Sequence, residues 1–211
     1  MDGPTRRGSY AVGIERRERI LDAAMTRFAD SGYSRTSLAD IARDVGLTGP
    51  GLKHHFPTKQ HLLLAIAERR FDLSHARALS SASAEDSVES LRVMYDVARF
   101  YDSQPQLMEL FVLVSAEAAD PTNAAHALFA ARYERVIQEL VDGFERDVEA
   151  GRLRPDRDYR ALARECIAVA DGLQLQWVLS GGELDFLALS RAHLERLAAD
   201  LLLPGARLDL G

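Results

Sequence analysis

From Glu15 to Leu203 the apolar residues come round every three or four positions, and no stretch alternates apolar and polar residues over the length of a strand. A chain patterned this way folds as helices, so the expected fold class is all-α. Gly and Pro mark the breaks: "SGY" after a first helix from Glu15 to Asp30, Gly46, Pro57, Pro105, Pro121, Gly151 with Pro155, and Gly181 with Gly182. They predict later helices over about Ser87–Ser103, Pro105–Ala119, Pro121–Ala150, Arg157–Ser180 and Asp185–Leu203. Residues 1–13 lack an apolar stripe and are expected to form a flexible basic arm.

The first sixty residues contain the sharpest local signals. Ser37 precedes the stripe Leu38, Ile41, Ala42 and Val45, and Asp40 stands three residues after it, which is the spacing of a capping box. Gly46 supplies the left-handed stop. Thr48 then caps a short helix reading "GPGLKHH", whose Pro50 lies in the first turn, where a missing N–H costs no intrahelical bond. Thr58 caps a longer helix from Lys59 to about Ala82, with Leu62, Leu63, Ile66 and Phe71 as its apolar side. Residues 14–60 are therefore expected as a first domain, 61–82 as a connecting helix and 83–211 as a second domain.

Two short helices across a Gly turn, preceded by a longer one, form a helix-turn-helix arrangement, whose last helix enters the DNA major groove. The charge distribution agrees. Residues 1–60 carry ten Lys+Arg against seven Asp+Glu, whereas the remainder carries sixteen against twenty-five. The only two lysines, Lys53 and Lys59, both fall in the basic part. A helix beginning Gly49-Pro50-Gly51 brings its backbone close to DNA but offers few hydrogen bonds to bases. Thr48 and Pro50 suit a thymine methyl, while Lys53 and His54 reach a base edge or a phosphate. Arg6, Arg7, Arg16 and Arg17 are either solvated charges or an arm reaching phosphates. Tyr33 either supports the fold or meets a phosphate.

Arg16 to Leu63, "RRERILDAAMTRFADSGYSRTSLADIARDVGLTGPGLKHHFPTKQHLL", resembles the DNA-binding region of TetR-family transcriptional repressors. The features that carry the resemblance are Phe28 followed by "SGY", then "TSLADIA", "VGLT" and "HHFPTK". It implies a homodimer that binds a double-stranded DNA operator with inverted-repeat symmetry and is released by a small-molecule effector. It also implies DNA contacts from Arg35, Thr36, Ser37, Thr48, Gly49, Pro50, Gly51, Lys53, His54 and Lys59. Lys53 stands where the family commonly has an aromatic residue, and both it and Lys59 are placed for phosphate.

The second domain offers two candidate surfaces. Met94, Tyr95, Phe100, Leu107, Leu110, Phe111, Val114, Phe129, Tyr133, Ile137 and Trp177 form either a filled core or, as the resemblance implies, the wall of an effector pocket. Leu162, Cys166, Val169 and Leu173 share one helix face, and Leu187, Leu194, Leu197 and Leu201 keep heptad-like spacing on the last helix. The resemblance implies that these two helices pair with their copies. Ile167, Leu175 and Val178 lie on another side, and Ala168 and Gly172 are small enough for close helix approach.

Other classes find less support. There is no Gly-rich phosphate loop, no Gly-x-Ser-x-Gly elbow and no His-Glu-x-x-His. Catalysis, a cofactor and a metal are therefore not expected, even with His54, His55 and His61 near one another. One cysteine excludes an intrachain disulfide. With no apolar run of membrane-spanning length, no membrane partner is expected and the protein reads as cytoplasmic. The alternative to a ligand-responsive repressor is a helical interaction protein with degenerate DNA binding, or, with less support, a small-molecule enzyme.

Overall fold

A computed structural model of the protein describes residues 5–33, 35–66, 68–69, 87–123 and 125–211. The chain divides into two compact units, Met1–Arg69 and Arg70–Gly211. The first unit thus runs nine residues past the expected boundary at 60, and Leu62, Leu63 and Ile66 are buried. The rest of the connecting helix expected over 61–82, including Phe71, lies outside the described residues.

In the first unit α1 spans Thr5–Ser31, α2 Leu38–Asp44 and α3 Gly49–His55, and α4 is described over 59–66 and 68–69. The arm expected over 1–13 is helical from Thr5 onward. Once the apolar turns from Ile20 to Phe28 have nucleated the helix, each further residue adds one backbone bond, which carries it back through Gly13 and Gly8. Ile20, Leu21, Ala24 and Phe28 of α1, Ile41 and Ala42 of α2, and Leu52 and Phe56 are buried. Arg27 of α1 ties down Asp44 at the end of α2 through a two-pronged ion pair, its Nη2 lying 2.7 Å from Asp44 Oδ1.

Among the described residues the second unit holds α5 (Glu89–Asp102), α6 (Pro105–Ala118), α7 (His126–Glu149), α8 (Tyr159–Leu179) and α9 (Phe186–Leu201). Here α7 and α6 pack on α8, and α5 packs on α9. One core cluster joins Leu91, Ile137, Phe144, Ala163, Leu194 and Leu201; another joins Tyr101, Met108 and Phe186. The chain enters α7 five residues later than its sequence suggested. Asp120 accepts from the Thr122 amide and hydroxyl, both at 2.8 Å, so Pro121 sits in a turn ahead of the helix. Asp158 and Asp185 cap α8 and α9 with their side chains. Among the described residues no helix is long and apolar enough to cross a membrane.

The start of α5 has a different kind of cap. Its N-cap residue, Val88, has no side-chain acceptor. Instead the fully buried Asp147 of α7 accepts from the amides of Glu89 (3.2 Å) and Ser90 (2.9 Å), the Ser90 hydroxyl (2.5 Å) and Arg152 Nε (2.9 Å). A carboxylate removed from water is tolerated only when its lone pairs are filled in this way. Asp147→Ala removes the acceptor of two amides, a hydroxyl and a guanidinium, and is expected to destabilise the second unit by about 3–5 kcal/mol. Urea unfolding followed by tryptophan fluorescence at Trp177, the single tryptophan, checks this.

Candidate functional site

The turn between α2 and α3 is closed as its sequence suggested. Ser37 Oγ accepts from the Asp40 amide and Asp40 Oδ2 accepts from the Ser37 amide, each at 3.2 Å, completing the capping box. These bonds, the hydroxyl of Ser37 above all, hold the Asp40 carboxyl below its ordinary pKa. Gly46, at φ +68, allows its own amide to reach Arg43 O and that of Leu47 to reach Ala42 O. Thr48 Oγ1 then accepts from the Gly51 amide at 3.2 Å. A Cβ on residue 51 would sit 3.1 Å from that hydroxyl, so glycine there keeps the cap intact.

Leu52 and Phe56 anchor the inner side of α3, and the Arg17 guanidinium covers the Phe56 ring at 4.5 Å. On the outer side Thr48, Gly49, Pro50, Lys53 and His54 are exposed together, with Gly51 half-buried between them. His55 is half-buried; desolvation and then the charges of His54, Arg16 and Arg17 push its pKa down, which keeps it neutral as a support residue.

Two of the expected DNA contacts make hydrogen bonds within the fold. Thr36 is buried, and its hydroxyl donates to Gly32 O at 3.0 Å and Arg27 O at 3.4 Å. Lys59 donates from Nζ to Tyr33 O (2.7 Å) and Thr36 O (3.1 Å), with the ammonium 4.1 Å above the Tyr33 ring. Its charge thus braces the loop between α1 and α2, and Tyr33, set edge-on against Phe28, forms part of that brace. Arg35 and Ser37 stay exposed beside the loop, although Arg35 Nε donates to Ser31 O at 2.7 Å.

In the second unit a partly open cavity of about 80 Å³ lies between α5, α8 and α9. Met94, Val97, Ala98 and Tyr101 line it from α5, Cys166, Val169, Ala170, Leu173 and Gln174 from α8, and Phe186, Ser190, His193 and Leu194 from α9. Among the eleven residues considered for a pocket wall, only Met94 is on this lining. Tyr95, Leu110, Phe111, Val114, Phe129 and Ile137 are buried. Phe100 and Trp177 pack against the Tyr101–Met108–Phe186 cluster, and the Tyr133 hydroxyl donates to Asp171 at 2.6 Å. The side chain of Leu107 lies outside the described residues.

Comparison with known proteins gives these two units their context. A profile described as "Bacterial regulatory proteins, tetR family" matches residues 20–66, and one described as "BetI-type transcriptional repressor, C-terminal" matches residues 93–202. The protein belongs to the TetR family. Its relatives include the transcriptional regulator BetI of Stenotrophomonas maltophilia, 31% identical over 81% of this chain and 86% of that one. The transcriptional repressor AcnR of Corynebacterium diphtheriae is 26% identical over 82% of this chain and 85% of its own. A regulator from Saccharomonospora viridis crystallised with choline shares the fold, with TM-score 0.73 and 24% identity, covering 90% of this chain and 98% of that one. TetR-family proteins are DNA-binding transcriptional regulators, and this protein is a member of that class.

Within this TetR protein, the eight residues expected at the contact between copies are buried or half-buried within one protomer. Cys166, Val169, Leu173 and Leu194 line the cavity, while Leu162, Leu187, Leu197 and Leu201 pack into their own protomer's core. Burial pushes the Cys166 thiol up to about 12, so it behaves as a small apolar group. The stripe left outside is Ala168, Gly172, Leu175 and Leu179, at helical spacing on α8, with Leu189 on α9; Leu179 is 77% exposed. Leu175, Ala168 and Gly172 of this stripe were legible in the sequence; Leu179 and Leu189 were not, and Ile167, expected on the side of Leu175, packs against the core.

For this TetR protein the brace at Lys59 makes a clear expectation. Lys59→Ala removes two charge-assisted hydrogen bonds and should cost the first unit about 2 kcal/mol. Its operator affinity should fall while the slope of log affinity against log salt stays unchanged, as measured by fluorescence anisotropy over a salt series.

Proposed function

We propose that the protein is a cytoplasmic, non-catalytic repressor that binds an inverted-repeat operator as a homodimer and is released when a small molecule enters the cavity between α5, α8 and α9. The observation that supports the DNA side best is the capped, glycine-fronted α3 with Lys53 and His54 exposed on its outer turn. A helix so bare at its tip can lie deep in the major groove. Thr48 and Pro50 then meet methyl groups or sugar, and Lys53 meets a phosphate or a guanine edge. Arg35 and Ser37 flank it as backbone contacts. Thr36 and Lys59 act indirectly, by holding the loop.

Two-fold symmetry supports the inverted repeat, since two copies of α3 would address half-sites about one helical turn, ~34 Å, apart. The pairing surface we assign is the outward stripe of α8 and α9. A Cβ added at Gly172 would meet nothing within 4 Å, which leaves room for a second helix to approach. Exposed leucines repeated along one face, Leu175 and Leu179 of α8, fit cover by a partner.

Selection of bound duplexes from a random pool tests the proposal as a whole; recovery of no two-fold symmetric sequence at low salt would sink it. Two variants divide it. Lys53→Ala is expected to weaken operator binding and reduce the salt slope by about one phosphate charge, read by anisotropy at several salt concentrations. Leu179→Glu is expected to shift the protein from dimer to monomer in sedimentation equilibrium, with helical content retained by circular dichroism.

A further inference from the structure

We infer that the cavity between α5, α8 and α9 takes a compact, uncharged, mostly apolar molecule carrying one hydroxyl-like group that meets His193 Nε2. The inference rests on the effector assignment made above and specifies its chemistry. Three observations lead to it.

The first is the wall. Met94, Val97, Val169, Leu173, Phe186 and Leu194 make it largely hydrocarbon, and none of the described lining residues is Asp, Glu, Lys or Arg. A cation brought here leaves its water and finds no carboxylate, and an anion finds no basic group; both desolvation costs go unmatched. Aromatic faces at Phe186 and Tyr101 offset only part of the cost for a cation.

The second is the pattern of polar groups. Ser190 Oγ donates back to Phe186 O at 2.8 Å, and Gln174 Nε2 donates to Ala170 O at 3.3 Å, so each of these donors already has an acceptor on its own helix. His193 lines the cavity, and its Nε2 is buried with no hydrogen-bond partner within the protein, so a small turn of the ring on ligand entry brings that nitrogen to the cavity. Desolvation, and next the charge of Arg196, lower its pKa against a smaller opposing effect of Glu165, so the ring is neutral at pH 7 and attracts no anion. A neutral imidazole nitrogen either donates or accepts according to its tautomer, and a hydroxyl satisfies both.

The third is size. At about 80 Å³ the cavity is smaller than the roughly 150 Å³ space that encloses benzene in an engineered core, although it is partly open. A compact branched molecule with one end seated inside and the rest in the open mouth fits better than an extended chain or a fused ring system.

A matched pair of probes tests the charge rule on the full-length protein. Choline and 3,3-dimethyl-1-butanol have the same shape and differ in a quaternary nitrogen against a quaternary carbon. With methyl-labelled methionine, the Met94 signal reports occupancy of the cavity and Met25, in the other unit, serves as control. The alcohol is expected to bind at least about tenfold more tightly than choline and to move the Met94 signal. His193→Phe is expected to weaken the alcohol about tenfold while leaving the hydroxyl-free 2,2-dimethylbutane unchanged, and His193→Gln to recover part of the loss.

Equal or tighter binding of choline overturns the inference, as does a Met94 signal that neither probe moves. Alcohol affinity unchanged in His193→Phe overturns the role of His193. Operator binding is measured on the same preparation. If the duplex binds and the probes do not, the cavity chemistry fails alone; if no duplex binds, the regulator reading fails.

Discussion

The position of α5 depends on a carboxylate that its own sequence does not contain. Asp147 satisfies the first amides of α5 from 57 residues further along the chain, and through Arg152 it also fixes the segment that leads toward α8. Arg152 O in turn accepts from the Leu203 amide at 3.0 Å, while Arg92 Nη1 and Arg191 Nη2 donate to the carbonyls of Asp209 and Gly211. One buried anion therefore sets the register of three elements. Since Met94, Val97, Ala98 and Tyr101 are all carried by α5, the shape of the cavity is a consequence of that anchor as much as of the side chains that line it.

The same fact explains which parts of the protein were legible in its sequence. The first unit is built from local signals. Ser37 with Asp40, Gly46 and Thr48 each act within four residues, so helix limits there follow from the letters. The long-range partners were not legible. Nothing in "KQHLL" shows that Lys59 has its ammonium on the carbonyls of Tyr33 and Thr36, and Thr36 in "RTS" looks like any exposed hydroxyl. Nor does the pair Val88-Glu89 reveal a cap supplied by Asp147. The start of α1 was missed for the opposite reason: propagation of an established helix needs no signal at all.

The cavity shows a more general limit. Large aromatic side chains were the natural candidates for a pocket wall, yet Phe111, Phe129 and Tyr95 are not on the lining of the cavity between α5, α8 and α9. Empty volume occurs where facing residues are small, here Ala98, Val97, Val169 and Ala170, and smallness carries no distinctive period. Periodicity also tells which residues share a face without telling which face looks inward. On α8 both stripes are apolar. Cys166, Val169 and Leu173 go to the interior, while Ala168, Gly172, Leu175 and Leu179 remain outside, and only the packing of α5 and α9 decides between them.

That arrangement gives α8 a mechanical position as well as a structural one. Its inner stripe touches whatever occupies the cavity and its outer stripe is the proposed pairing surface, on opposite sides of one stiff 21-residue rod. On the proposed pairing, a molecule that wedges α5 away from α8 cannot be absorbed by side-chain shifts alone where the interior is close-packed, as at Ala163 and Phe144 beside it. The remaining freedom is movement of the helix, which a partner copy would feel directly. An occupant need only be accommodated better in one helix arrangement than in the other to shift the balance between them, and the size of that shift is bounded by the difference in its two affinities. A small, loosely held molecule with a single hydrogen bond is therefore suited to regulation by modest bias, provided the two arrangements of the protein lie close in free energy.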